Sequence, residues 1–358
     1  MRRGWLIALG VLLIAAGVTY QLRATIAMWL MASAAERALA ADPIAALPDG
    51  LTVALCGAGG PMPDPRRSGP CVAVVAGRHL FEVDAGDVAG RNMTRLGFAP
   101  GRIEALFLTH FHSDHIDGLG ELTVLRWVGA AHKEPLPVIG PTGVEEVVAG
   151  FNAAYRLDAS YRTAHHGPGI APPGGEGGIA RPFVAPAPGD GLVVWSADGV
   201  TVTTFSVQHD PVVPAVGYKF EYGGRSVVIS GDTSKSATVE QFATDADLLV
   251  HEALSLKLAG ILHQAATGAG RANIAKITVD ILEYHTTPVE AAQTAAAANV
   301  SHLLFYHVVP PLVVPGSEAV FLKGVAAVYH GGVTLGRDGT QITLPRDSKE
   351  IIVEQRGL

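Results

Sequence analysis

The chain opens on an apolar run that no charge interrupts: residues 5–19, WLIALGVLLIAAGVT, directly behind Arg2 and Arg3. A basic flank ahead of such a stretch is the pattern of an export segment. Its apolar positions form no single stripe, which argues against a helix buried along one face of a soluble core. Extended to Leu22, the run approaches the roughly 20 residues that a spanning helix needs. Residues 1–23 therefore read as a signal anchor or a signal peptide. Ala38-Leu39-Ala40 has the small-residue pattern of a cleavage site, but it stands far from the apolar run. Residues 24–40, Ala-rich with Glu36 and Arg37, predict a helical stalk, and the stretch around Pro43 and Pro48 a linker. That leaves 49–358 as the folded domain, placed by the inside arginines on the periplasmic or cell-surface side, anchored or secreted.

Within that domain short apolar runs alternate with turn residues. IEALFL, VVIS and LLFY read as buried strands, and GYKFEYGGRS at 217–226 as a hairpin followed by a strand. Thr287, Pro288 and Glu290 form a capping box with proline at the first helical position, predicting a helix to about Ala298. The segment GPGIAPPGGEGG has a composition that cannot form a core and suits a substrate lid. The apolar stretch Leu254 to Ile261 fits a pocket wall and a packed helix equally well.

With 42 Gly and 23 Pro against 16% charged residues, the composition suits strands and turns rather than a helical bundle or a disordered tail. A net charge of -7 without any basic run sets the expectation that nucleic acid is not a partner. Cys56 and Cys71 are too few for a thiolate zinc site or a disulfide scaffold. An exported domain would allow them to bridge across the Gly/Pro-rich loop between them; the other reading is two small buried side chains.

One cluster carries chemistry. His110, His112, Asp114 and His115 follow an apolar strand within six positions, and alternate residues at an extended strand end can point into one cavity. Imidazole nitrogen and carboxylate oxygen suit zinc with coordination positions left open for water. Asp117 and Gly118 then mark the turn into a helix starting near Leu119.

His-x-His-x-Asp-His resembles the signature of the metallo-β-lactamase superfamily, which implies an α/β fold: a four-layer αβ/βα sandwich with the site at one edge. The resemblance implies further ligands in order: His209 ahead of Gly217 and Tyr218, Asp232 in RSVVISGDTS, and His307 in HLLFYHVVPP. It assigns His110, His112 and His209 to one zinc and Asp114, His115 and His307 to the other, with Asp232 bridging; manganese or iron would fit the same set. LCGAGGPMPDPRRSGPCVAVVAG, VIGPTG and LLVHEAL resemble the ribonuclease Z-like branch, as does His285, which stands where that branch has a catalytic histidine.

Between His209 and Asp232 the chain has no room for the arm with which the common bacterial ribonuclease Z grips tRNA. Together with the charge and the export segment, this gap makes the chain look similar to the arylsulfatases of the branch. The expectation is a hydrolase of small-molecule sulfate or phosphate esters using a metal-bridging hydroxide. A ribonuclease Z-type tRNA endonuclease is the alternative, followed by a lactone or other ester hydrolase and a non-catalytic binding module. Lactam hydrolysis is disfavoured because true metallo-β-lactamases lack the bridging aspartate. In this scheme Asp114 orients the hydroxide and His285 protonates the leaving oxygen. Glu252 is the carboxylate that offsets the helix N-terminus ahead of which His285 sits. Arg162 could meet a sulfate or phosphate oxygen, or form a surface salt bridge. A homodimer is the default oligomer.

Overall fold

A computed structural model describes residues 2–358. Met1 lies outside the described residues, as do the side chains of Arg2 and Arg3, on which the expected orientation of an export segment rests. The chain divides into two compact units, Met1–Ala46 and Leu47–Leu358. In the first, the expected export segment and stalk form one uninterrupted helix, Arg2–Ala40, because no proline breaks a stretch rich in Ala and Leu. Among the described residues it is the one helix long and apolar enough to cross a membrane. A single turn, Pro43–Ala46, follows it.

The second unit is built on two sheets. One orders eight strands as Ile352–Gln355, Thr340–Pro345, Gly50–Gly57, Cys71–Ala76, His79–Val83, Ile103–Phe107, Leu136–Pro141 and Gly178–Phe183. The other orders seven as Gly332–Leu335, His302–Val309, Leu248–Leu254, Arg225–Ile229, Val216–Tyr222, Val200–Ser206 and Gly191–Ala197. Runs such as CVAVVA and HLLFYHVV are buried at every position, as expected of strands covered on both faces. Between the sheets Val53, Val74, Phe81 and Phe107 meet Tyr218, Phe220, Val250 and Leu304 in one core, with Phe107 edge-on to Tyr218 at 5.4 Å. Helices Leu119–Ala130 and Val144–His166 contact the first sheet, and Pro288–Ala297 the second, where Ala291, Ala292 and Ala295 pack flat against it. The result is the expected four-layer sandwich.

Several local expectations have direct counterparts. Val216–Tyr222 and Arg225–Ile229 pair antiparallel, turning at Gly223 and Gly224, whose φ values of 55° and 73° belong to glycine. Thr287 accepts from the Glu290 backbone while the Glu290 side chain accepts from Thr287 N, completing the capping box. The ambiguous stretch after Leu254 is helical: Leu256–Gly268 packs against Ala272–Asp280 as a helical hairpin. Cys56 and Cys71 are joined in a fully buried disulfide between neighbouring strands, closing the loop that leads past the site described next.

Candidate metal centre

Parallel strands that end on the same side of a sandwich bring distant residues together, and the site lies at such an edge. After Ile103–Phe107 the chain turns at Thr109 and His110, and the one-turn helix Ser113–Ile116 carries Asp114 and His115. Asp232 follows Arg225–Ile229 across Gly231, held at φ 63°, where a Cβ would stand 2.6 Å from the Val216 carbonyl oxygen. His307 bulges out of its strand: Tyr306 pairs with Glu252 and Val308 with Ala253, leaving His307 between them at φ 43°. A non-glycine residue in that region is strained, and such strain is characteristic of functional sites.

Seven side chains converge. Donor atoms of His110, His112, His209 and Asp232 lie within 4.8 Å of one another, as do those of Asp114, His115 and His307. Asp232 stands between the two groups: its Oδ2 is 3.1 Å from His307 Nε2, 3.4 Å from His115 Nε2, 3.9 Å from His110 Nε2 and 4.0 Å from His209 Nε2. His112 is half-buried and the other six are buried. Burial disfavours charge on Asp232, but His307, His115 and His110 outweigh it and hold its carboxyl well below the usual carboxylate range. For His110, burial together with the neighbouring His115 drives the imidazole towards its neutral, ligating form.

These donors fit a pair of cations. His115 Nε2 and Asp232 Oδ1 are buried with no hydrogen-bond partner among the described residues, and buried polar atoms are left so at a cost unless something else binds them. Their spacing suits donors that each approach zinc to about 2.0–2.2 Å.

Asp84, which the sequence motifs missed, sets the orientation of His115. It accepts from His115 Nδ1 at 2.8 Å, Thr109 N at 2.8 Å and the Thr109 hydroxyl at 2.9 Å. That fixes the tautomer and points Nε2 at Asp114 and Asp232. The only sequence signal was an aspartate closing the strand His79–Val83, 31 positions from its partner.

His285 lies against the ligands, its ring stacked on His307 at 5.5 Å and tilted against His209 at 5.3 Å. Its Nδ1 is 3.2 Å from Glu252 Oε1. Burial pulls the His285 pKa down, but the Glu252 carboxylate, supported by Asp232, raises it above the ordinary imidazole value. The same Glu252 oxygen accepts from Thr286 N at 2.8 Å and Thr233 N at 3.4 Å, tying the Asp232 loop to the His285 turn. Arg162 is elsewhere. It sits on Val144–His166 with its Nε 2.6 Å from Asp158, one helical turn away, and does not line the metal cavity.

Residues 65–265 match the model of the Metallo-beta-lactamase superfamily. The chain belongs to this superfamily. Membership implies a dinuclear metal site and makes the protein a metal-dependent hydrolase acting on ester bonds. Among its superfamily relatives, a ribonuclease Z of Mycobacterium sp. (strain KMS) is 38% identical over 289 residues, 80% of this chain and 94% of that protein. The ribonuclease Z of Mycobacterium bovis (strain BCG / Pasteur 1173P2) is 36% identical over 290 residues, 80% of this chain and 96% of its own. These matches put the chain in the ribonuclease Z-like branch. The fold is shared with human tRNase Z, short form (TM-score 0.58, 20% identity, 82% of this chain and 99% of that one). It is also shared with a diphosphatase from the PhnP family (TM-score 0.54, 17% identity, 85% and 100%).

The relatives correct two expectations. A small-molecule sulfate or phosphate ester hydrolase of the arylsulfatase kind, with nucleic acid excluded as a partner, is not what this chain is similar to: the relatives are ribonucleases Z. The missing arm misled because the mycobacterial ribonucleases Z are themselves matched over 94–96% of their length, leaving little of them without a counterpart here. Net charge misled because substrate contact depends on the local field rather than on the sum over the surface.

Proposed function

We propose that the folded unit is a ribonuclease Z-type endonuclease that hydrolyses RNA phosphodiester bonds. The observation that carries this reading is a seven-donor centre flanked by the His285–Glu252 pair, in a chain 38% identical to a ribonuclease Z over 94% of its length. His110, His112 and His209 would hold one zinc ion and Asp114, His115 and His307 the second, with Asp232 between them; manganese or iron are the alternatives. When bound, such a pair makes water nucleophilic near neutral pH and stabilises charge developing on the phosphoryl oxygens.

The chain's own groups do the rest. Asp114 lines the cavity and directs the attacking water towards phosphorus. As the bond from phosphorus to the leaving oxygen breaks, His285 gives that oxygen its proton. Glu252 Oε1, 3.2 Å from Nδ1, would stabilise the charged ring and leave Nε2 for this transfer. The apolar helix would hold the unit at a membrane, outside the cytoplasm. The Arg2–Arg3 flank supports that placement, as does a buried disulfide, since such bonds persist in oxidising compartments.

Metal-loaded full-length protein incubated with a precursor tRNA and with an unstructured RNA is expected to cut RNA endonucleolytically and to stop on chelation. Protein that retains its metal and leaves both RNAs intact would overturn the reading.

A further inference from the structure

The helical hairpin of Leu256–Gly268 and Ala272–Asp280 buries small side chains and exposes large ones. Its buried positions are Ala259, Ala266, Ala275 and Thr278, whereas Leu256, Ile261, Leu262, Ile274 and Val279 are exposed, Ile261 by 54%. A helix whose only partner is its own folded unit turns its large aliphatic side chains inward, and an apolar surface left outside marks an interaction site. Ile277 is exposed as well, but it lines the metal cavity together with Pro61, Met62, Ile281 and Tyr284. Val313 and Val314, also exposed, stand just ahead of Ser317–Phe321, a short helix in contact with Leu256–Gly268.

Two observations say what covers this surface. The chain carries a net charge of -7, yet the hairpin sets three basic residues, Lys257, Arg271 and Lys276, against one acidic residue, Asp280. Aliphatic side chains mixed with Lys and Arg are the composition of helices that lie in the interface of an anionic bilayer. The second observation is the helix Arg2–Ala40, long and apolar enough to cross a membrane. Beyond Leu22 it continues to Ala40, about 27 Å at about 1.5 Å per residue. A unit tethered over that distance meets the lipid surface at an effective concentration on the order of millimolar. The helix Val144–His166 exposes Leu157 and Tyr161 too, but there Glu145, Glu146 and Asp158 outnumber Arg156 and Arg162, so anionic lipid repels it.

We infer that the hairpin is a second membrane contact: its exposed aliphatic side chains enter the interface of an anionic bilayer while Lys257 and Arg271 meet the headgroups. The inference rests on the membrane placement proposed above and adds that the folded unit is held against the lipid by its own surface. Alone, a surface of this kind binds reversibly and weakly. It therefore acts in a chain that the apolar helix has already brought to the bilayer.

The test uses metal-loaded full-length protein reconstituted into vesicles of phosphatidylcholine with phosphatidylglycerol, and of phosphatidylcholine alone. Both native cysteines are held in the buried disulfide, so Ile261→Cys and, as an exposed control, Lys349→Cys each accept one fluorophore. Nitroxide-bearing lipid in the anionic vesicles should quench the label at 261 about 3-fold more than the label at 349. Raising the salt from about 50 mM to about 500 mM should bring the two together. Lys257→Glu with Arg271→Glu should do the same, as should vesicles of phosphatidylcholine alone, while the protein still floats with the vesicles. Equal quenching at 261 and 349 in protein that floats with anionic vesicles would overturn the docking and leave the membrane placement standing. A label at 261 that responds to added RNA and not to lipid would assign the surface to RNA and overturn it likewise. Protein that does not float would overturn both.

Discussion

Asp84 and Glu252 each stand beside an imidazole of the site, Asp84 bonded to His115 Nδ1 and Glu252 3.2 Å from His285 Nδ1. Asp84→Asn keeps the shape but weakens the acceptor for His115 Nδ1. It is expected to lower metal affinity by about 10- to 100-fold, measured by competition with a chromophoric chelator. Glu252→Gln removes the charge that raises the His285 pKa. A general acid is lost as pH rises through its pKa, so the alkaline limb of the rate profile should move to lower pH; a limb that stays in place removes Glu252 from the role. Tyr329 gives a separate pH signature. Its buried hydroxyl donates to the Val300 carbonyl oxygen at 2.8 Å, and burial pushes its pKa up to about 12. A folded-state value above the unfolded one, about 10, contributes stability that is complete below pH 10 and fades as pH rises towards 12. Tyr329→Phe should flatten that fall by up to about 2.5 kcal/mol, read from urea unfolding across the window. At this scale the imidazole cluster from His110 to His115 was legible from its own spacing, whereas His209, Asp232 and His307 were reached through the family resemblance. Asp84, Met62, Ile277, Ile281 and Tyr284 were not legible, since nothing in local spacing says which distant loop faces them.

Elements with their own start and stop signals were read from the chain with little loss. The helix Pro288–Ala297 is announced by its capping box, and Thr287→Ala should destabilise the unit by about 1 kcal/mol in thermal or denaturant unfolding. The helical hairpin Leu256–Asp280 was harder, because a short apolar run beside a strand does not distinguish pocket wall from packing; Leu254 and Ala259 pack in a buried cluster, and the metal cavity is lined further along, by Ile277 and Ile281. The disulfide is a constraint between elements. Cys56 and Cys71 are separated by 15 positions, and a closed loop of that size contributes about 3 kcal/mol in the chain-entropy model. Cys56→Ser with Cys71→Ser should lower the unfolding midpoint accordingly. It should also loosen Pro61 and Met62, which ride on the same loop, so KM for RNA should rise more than kcat falls.

For the molecule as a whole, the division at Ala46 predicts that a chain starting at Leu47 folds to the same midpoint as the full-length protein and stays in the soluble fraction. Full-length protein should sediment with membranes. Fold and chemistry class were legible because the strand pattern and the donor order must agree with each other to build one centre. Substrate class was misread because net charge, the absence of an insertion and the expected export were set against several local motifs that pointed to ribonuclease Z. Under the proposed function, the excursion between Leu254 and His285 would contribute to substrate choice, since Ile277, Ile281, Tyr284 and His285 line the metal cavity. The same continuous segment carries the proposed proton donor and apolar lining beside it, while every proposed ligand lies outside it. Exchange of this one stretch would therefore alter what the enzyme accepts and how its leaving group is served in a single step, with the metal scaffold inherited intact.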